Sequence, residues 1–294
     1  MKEILDRASR ENYGIAAPNV SSELDARAYV EAAEELNAPL ILDFAYQVHP
    51  DIGFLGKVLR MLAEQSSVPI AINLDHGFKK EHIIAAIRAG FTSVMIDRSS
   101  FPYEQNVADV KQIVEIAHAA GVSVEAELGH VGNADNYEHD RDAALTSPEE
   151  AADYIQKTGI DCLAVAIGTA HGAYPKGMRP HLDFDRLEQI KKATDNFPLV
   201  LHGSSGTDNE SLRKACSMGI NKVNIATDLF QAACDALKAA DLEGTNIYSV
   251  YTIAGNAAKA KLKEMIEVYG SAGKAWIPEV KGLPKEEEAL DEKH

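Results

Sequence analysis

PIAINLDHG, residues 69–77, is apolar at almost every position until it ends in Asp75, His76 and Gly77. A strand buried on both faces reads this way, and a polar ending belongs to the carboxyl edge of a parallel sheet. Two more stretches repeat the pattern, CLAVAIGTAHG at 162–172 and PLVLHGSSG at 198–206. His76, His171 and His202 therefore each stand at the end of a strand-like run. Three imidazoles converging from separate strand ends can hold a zinc ion with one coordination position open. The competing reading makes each a hydrogen-bonded buried imidazole.

Outward from this stretch, apolar β-rich runs alternate with amphipathic helical segments. The candidate strands are Tyr13–Val20, Pro39–Ala45, Pro69–Asp75, Ser93–Asp97, Ser123–Leu128, Cys162–Gly168, Pro198–His202 and Asn221–Ala226. Between them lie helices such as Ser22–Asn37, Lys79–Ala89, Tyr103–Ala120, Ser147–Thr158, Asp183–Thr194 and Asp208–Ser217, several opened by Ser or Asp as N-caps. Eight strands close a barrel, so the expected fold is α/β, a TIM (β/α)8 barrel. Residues 1–276 form one domain with extra C-terminal helices, and 277–294 form a charged, solvated tail. Two connections, 129–146 and 169–181, are too long for ordinary βα links and follow strands five and six, where barrel enzymes do their chemistry.

The chain has 294 residues and a formal charge of −16, from 29 basic and 45 acidic side chains. That field repels nucleic acid and anionic membrane, so neither is an expected partner. A phosphate ester must then be held by local amides, a metal or a few lysines. Cys162, Cys216 and Cys234 lack metal-type spacing and read as reduced thiols of a cytoplasmic protein. The charged start MKEILDRASRENYG contains no apolar core of a signal peptide, and no apolar run is long enough to span a bilayer.

Polar groups gather at the strand ends, where a purely structural barrel has no need of them. Asp75, beside His76, is either a general acid/base or the carboxylate that orients a metal-bound imidazole. Asp97 and Glu127 either form a second, weaker metal position or orient the first. Glu125, at the alternate position of the same strand, can instead point into the barrel and pair there. HGSSG after strand seven and NIATD after strand eight bring small residues and backbone amides to the usual phosphate corner of a barrel. The remaining histidines lie in helices, loops or the tail; of these His130 adjoins the first long loop.

The segments LDHG, MIDRSS, SVEAELG, AVAIGTAHGAY, LVLHGSSG and KVNIATD resemble, in order and spacing, the class II zinc-dependent ketose-bisphosphate aldolases, from about Met1 to Trp276. The resemblance implies reversible cleavage of a ketose (bis)phosphate to dihydroxyacetone phosphate and an aldehyde such as glyceraldehyde 3-phosphate, through a metal-stabilised enediolate. It makes His76, His171 and His202 the zinc ligands, Asp75 the proton donor or acceptor, and Asp97 and Glu127 secondary metal positions. Asn19, Gly172, Lys176, Gly203, Ser204, Ser205, Asn224, Ile225, Ala226 and Thr227 fall in the substrate-binding set, some beside a monovalent cation, Na+ or K+. The family's homodimers and homotetramers imply a homo-oligomer.

Three positions depart from the family pattern. Asp135, in GNAD, stands where a loop glutamate usually protonates the enediolate; Ala45 stands where many relatives carry a hydroxyl; Arg98 replaces a small residue after Asp97. Arg98 either reaches an anionic group on an atypical aldehyde or forms a salt bridge. Rival readings are a lysine Schiff-base aldolase, a zinc hydrolase and a non-catalytic phosphosugar-binding barrel. The only lysine in a candidate strand is Lys222, which stands at the start of strand eight, the wrong end for a Schiff base.

Overall fold

The computed structural model describes residues 1–129, 131, 145–170 and 180–277. Its strands are β1 (Ile15–Pro18), β2 (Leu40–Phe44), β3 (Ile70–Gly77), β4 (Ser93–Ile96), β5 (Ser123–Leu128), β6 (Cys162–Val165), β7 (Leu199–Leu201) and β8 (Ile220–Ile225). All their pairings are parallel, in the order β1-β8-β7-β6-β5-β4-β3-β2. The last seam, between β1 and β2, is drawn together by the bridge Asn19↔Asp43 and by the Val20 amide donating to the Asp43 carbonyl at 2.9 Å. The fold is the expected TIM barrel.

Ten helices accompany these strands among the described residues: α1 (Lys2–Glu11), α2 (Glu23–Glu35), α3 (Ile52–Gln65), α4 (Lys80–Ala89), α5 (Tyr103–Ala119), α6 (Pro148–Thr158), α7 (Phe184–Ala193), α8 (Asn209–Ser217), α9 (Thr227–Ala239) and α10 (Ile247–Tyr269). The caps read from sequence are made as expected. Ser22, Ser147, Asp183 and Asp208 each accept a backbone N–H three residues on, satisfying a donor that the first helical turn leaves unpaired. Two helices go beyond the sequence reading. α1 was hidden because only Ile4, Leu5 and Ala8 of its ten residues are buried, and α3 opens on Asp51, whose side chain accepts the Phe54 amide at 2.9 Å, a cap signal the sequence reading passed over.

Burial separates two apolar layers. One lies between the strands and the surrounding helices. The other is inside the barrel floor, where Ile15, Ile41, Ala71, Cys162 and Val200 meet Ile4, Leu5 and Ala8 of α1, which plugs the amino-terminal end. Above this floor the interior turns polar. Asp43, Asn73, Glu125 and Lys222 are all fully buried. They come from β2, β3, β5 and β8, and the contacts between β2, β5 and β8 must cross the lumen because those strands are not neighbours in the sheet. The apolar base fixes the barrel; the polar column above it supports the mouth.

The two long connections expected to be active-site loops lie mostly outside the described residues, as does the tail from 278 on. Their bases are visible. Thr146 donates its hydroxyl to the Leu128 carbonyl and accepts the Ala166 amide at 2.8 Å, tying the end of the first loop to β5 and β6.

Candidate metal and catalytic site

A register shift between Leu74 and Gly77 in the β3–β4 ladder shapes the mouth. At this bulge His76 takes φ 48°, a left-handed conformation that is unfavourable for a residue with a side chain. Gly77 follows because a Cβ there would come within 2.7 Å of the Met95 carbonyl oxygen. The bulge lets β3 deliver two consecutive functional residues, Asp75 and His76, to one mouth, although strand alternation alone would send them to opposite faces.

Carboxylates on the far side of each ring turn the two described histidines toward one another. His76 Nδ1 lies 3.0 Å from Asp97 Oδ2, and His202 Nε2 lies 2.9 Å from Glu125 Oε1. The inward nitrogens, His76 Nε2 and His202 Nδ1, are 3.0 Å apart. Two ring nitrogens facing each other at this distance, each with its other nitrogen on a carboxylate, need a positive charge between them, a proton or a metal ion. Burial lowers the affinity of His76 for a proton, but Asp75, Asp97 and Glu127 outweigh it and raise its pKa to about 10.

Asp75, His76 and His202 offer ligand atoms all within 4.8 Å of one another, as do His76, Asp97 and Glu127. The donor chemistry fits a divalent ion. Glu127 accepts the Val131 amide with Oε1 at 3.0 Å, while its buried Oε2 has no hydrogen-bond partner among the described residues. Burial and the neighbouring Asp97 raise its pKa. Asp97 is held well below the usual carboxylate range: burial opposes this, but His76 and two bonds from Ser99 prevail.

Asp75 does not orient a histidine. Its Oδ1 is 3.7 Å from His76 Nε2, whereas Asn19 donates to Oδ2 at 2.9 Å and Asn224 donates to Oδ1 at 3.0 Å. Burial alone would raise its pKa, yet the positive charge of His76, His202 and Lys222 and the Asn19 amide bring it to about 2. It is a carboxylate held ionised beside the histidines.

Asn19, Gly203, Ser204, Ser205, Asn224, Ala226 and Thr227 line one pocket with Asp75 and His76. Gly203 has φ 64°, and a Cβ there would sit 2.4 Å from the Ala170 carbonyl oxygen, so glycine is required for the close approach. Ala226 opens α9 without a side-chain cap, which leaves the positive end of that helix beside the pocket. Alternation points the Ile225 side chain away from the lumen into the outer core, and its carbonyl accepts the Asn19 amide at 3.1 Å.

Arg98 is held in an ion pair, its Nε 3.1 Å from Asp109 Oδ2 on α5 and its guanidinium 4.9 Å from the Phe101 ring centre. That is the salt-bridge alternative for this residue. Ala45 is buried at the end of β2. His171, Gly172, Lys176, Asp135 and His130 lie outside the described residues.

Sequence reading left out part of the column below the site. Lys222 Nζ lies 2.7 Å from Asn224 Oδ1, 2.9 Å from Glu125 Oε2 and 3.2 Å from Asp43 Oδ2. Its position near the start of β8 conceals how far the four-carbon stem carries its charge toward the mouth. Asn73 donates to Asp43 Oδ1 at 2.9 Å and approaches Glu125 Oε2 at 3.4 Å. The available signal was a polar or charged residue in the middle of strands that otherwise read as buried, clearest at Asp43, the lone polar residue of β2, and weaker at Asn73, Glu125 and Lys222, whose strands carry further polar positions.

The model of the family described as fructose-bisphosphate aldolase class-II matches residues 1–274. Fructose-bisphosphate aldolase of Thermus caldophilus is 39% identical over 93% of this chain and 98% of its own length. Its namesake from Geobacillus stearothermophilus is 40% identical over 94% and 98%. The crystal structure of the YdjI aldolase from Escherichia coli superimposes with a TM-score of 0.84 at 33% identity, covering 94% of this chain and 98% of that one. Among the described residues no helix is long and apolar enough to cross a membrane. The chain belongs to the class II fructose-bisphosphate aldolase family, metal-dependent carbon–carbon lyases that act on sugar phosphates.

Proposed function

We propose that the protein is a zinc-dependent aldolase that reversibly cleaves a ketose phosphate or bisphosphate into dihydroxyacetone phosphate and an aldehyde such as glyceraldehyde 3-phosphate. The observation that carries this reading is Asp75, a buried carboxylate clamped by two amides beside the facing nitrogens of His76 and His202. In cleavage Asp75 accepts the C4 hydroxyl proton; in condensation it returns it. His76 and His202 hold the metal, with His171 as the third ligand by family resemblance. Once bound, the ion supplies the positive charge that stabilises the electrons left on the ketone fragment.

The pocket of Gly203, Ser204, Ser205, Asn224, Ala226 and Thr227 receives the phosphate of the dihydroxyacetone half, with Gly172, Lys176 and a sodium or potassium ion completing it. The uncapped α9 terminus supports this assignment, since it offers a phosphate local attraction that the chain's net charge of −16 does not. Asp135 acts as the proton donor on the loop after β5. Asp97 and Glu127 serve as a second position for the metal, a role supported by the buried oxygen of Glu127. The buried Ala45 supplies no hydroxyl beside the substrate phosphate, a departure that favours an aldehyde half different from that of fructose bisphosphate.

The test is a panel of aldehydes offered with dihydroxyacetone phosphate to the zinc-loaded protein. Carbon–carbon bond formation that a chelator abolishes and zinc restores is the expected result. Trapping of an inactive adduct by borohydride in the presence of substrate would instead make the enzyme a Schiff-base aldolase.

Association is proposed through the exposed start of α10, where Ile247 is 54% and Tyr248 78% accessible and the buried residues begin only at Ala258. Sedimentation should give a dimer or tetramer, and a monomer at micromolar concentration would reject this. The free cysteines accord with a reducing cytoplasm.

A further inference from the structure

We propose that Lys222 is a positioning residue for the aldolase reaction: its ammonium fixes which end of the Asn224 amide faces Asp75 and, at the same time, holds Glu125 in place behind His202. Lys222 is fully buried and the mechanism above gives it no step. An ammonium has three protons, and three oxygens surround this one: Asn224 Oδ1, Glu125 Oε2 and Asp43 Oδ2.

The chemistry of the amide makes the coupling specific. Asn224 lies between a cation on one side and a carboxylate on the other, with Oδ1 2.7 Å from Lys222 Nζ and Nδ2 3.0 Å from Asp75 Oδ1. Turned over, the amide would set its NH2 against the ammonium and its oxygen against the carboxylate, an unfavourable contact at both ends. Lys222 thereby selects the orientation in which Asn224 donates to Asp75. Without the ammonium, Asn224 loses the reason to present its donor end.

The second arm reaches the metal side. Glu125 spans the two groups, with Oε2 2.9 Å from Lys222 Nζ and Oε1 2.9 Å from His202 Nε2. A carboxylate gripped on one oxygen has a fixed direction for the other, and this sets the plane and tautomer of the imidazole. One cation thus organises the proton-transfer group and a metal-facing histidine at once. The same contacts leave the amine unsuited to attack a carbonyl, since a nucleophilic lysine must be neutral and reachable.

This inference rests on the proposed role of Asp75, so the experiment separates the two. Lys222→Met alone strands Asp43 beside Glu125; Lys222→Met combined with Asp43→Asn removes one charge of each sign and is the variant to use, with folding checked by its thermal melt. Its kcat is expected to fall about 100-fold with KM changed less than about threefold, and its zinc affinity, read by chelator competition on the purified protein, to weaken about tenfold.

With zinc saturating, so that the Glu125–His202 arm is not limiting, the same change in an Asn224→Ala background is expected to lower kcat less than about threefold, because the coupling to Asp75 runs through that amide. Equal losses in both backgrounds, or kcat and zinc affinity within about threefold of wild type, would overturn the proposal. If the Lys222 variants do not fold, comparison of Asn224→Ala with Asn224→Asp decides. An aspartate there keeps an acceptor for the ammonium but has no donor for Asp75, so the proposal requires it to be at least as impaired as the alanine, and higher activity rejects it. Asp75→Asn is the separate control: full activity in that variant rejects the Asp75 role itself, whatever Lys222 does.

Discussion

Among the described residues two lysines are buried, and the chain treats them in opposite ways. Lys222, under the mouth, is surrounded by Asp43, Glu125 and the Asn224 oxygen. Lys191, at the floor, is 6% exposed and donates to neutral oxygens: the Phe197 and Asn196 carbonyls at 2.9 and 3.0 Å, Ser9 Oγ at 3.2 Å and Asn221 Oδ1 at 3.4 Å. Burial penalises both charges. At Lys222 the carboxylates more than compensate and raise its pKa above the ordinary lysine value; at Lys191 burial lowers the pKa to about 8. The difference is one of purpose. The floor uses an ammonium to staple α1, the turn after α7 and the start of β8, where dipoles suffice. The mouth uses one to hold charges in place.

The largest expected effect is on stability at the mouth. Lys222→Met leaves Asp43 and Glu125 buried without their cation, which should cost about 3–5 kcal/mol of unfolding free energy in a denaturant titration. Lys191→Met should cost less than half as much. It takes a donor from the Phe197 carbonyl, at about 1–3 kcal/mol, while the Asn196 carbonyl keeps the Ser9 hydroxyl, and it also removes a charge that burial disfavours. Equal losses would end the distinction between the two lysines.

The next effect is a pH dependence confined to the floor. The folded pKa of Lys191 is lowered to about 8, below the ~10.4 of an unfolded chain. Between those values the unfolded state binds more protons, so this group makes stability rise with pH; its penalty is full below about 8 and gone above about 10.4. The stability of wild type relative to Lys191→Met should therefore increase across that window, by at most about 3 kcal/mol. A flat difference would mean that the floor lysine is as well compensated as its counterpart.

Much of the frame was legible before any coordinates. Strands that alternate with amphipathic helices at a βα spacing announce a barrel, and a histidine at the end of such a strand announces its mouth. What escaped was whatever depends on register across the lumen. Asp43, Glu125 and Lys222 lie far apart in sequence, and nothing local says that their side chains meet; one residue of slip would turn each outward. Glu125 was read as a residue that can pair inside the barrel, yet its partners, His202 and Lys222, were not derivable. Ile225 came with its motif as a block, although the strand alternates beneath it and turns that side chain into the outer core. The bulge at His76 left no mark on composition.

That bulge has a consequence for how the protein tolerates change. His76 sits at φ 48°, where a glycine would rest without penalty and a histidine does not. At this one position the interests of the sheet and of the mouth diverge: the residue that would suit the backbone best carries no nitrogen to face His202. Selection for thermal robustness alone would drift toward glycine at 76 and silence the site while improving the barrel that carries it.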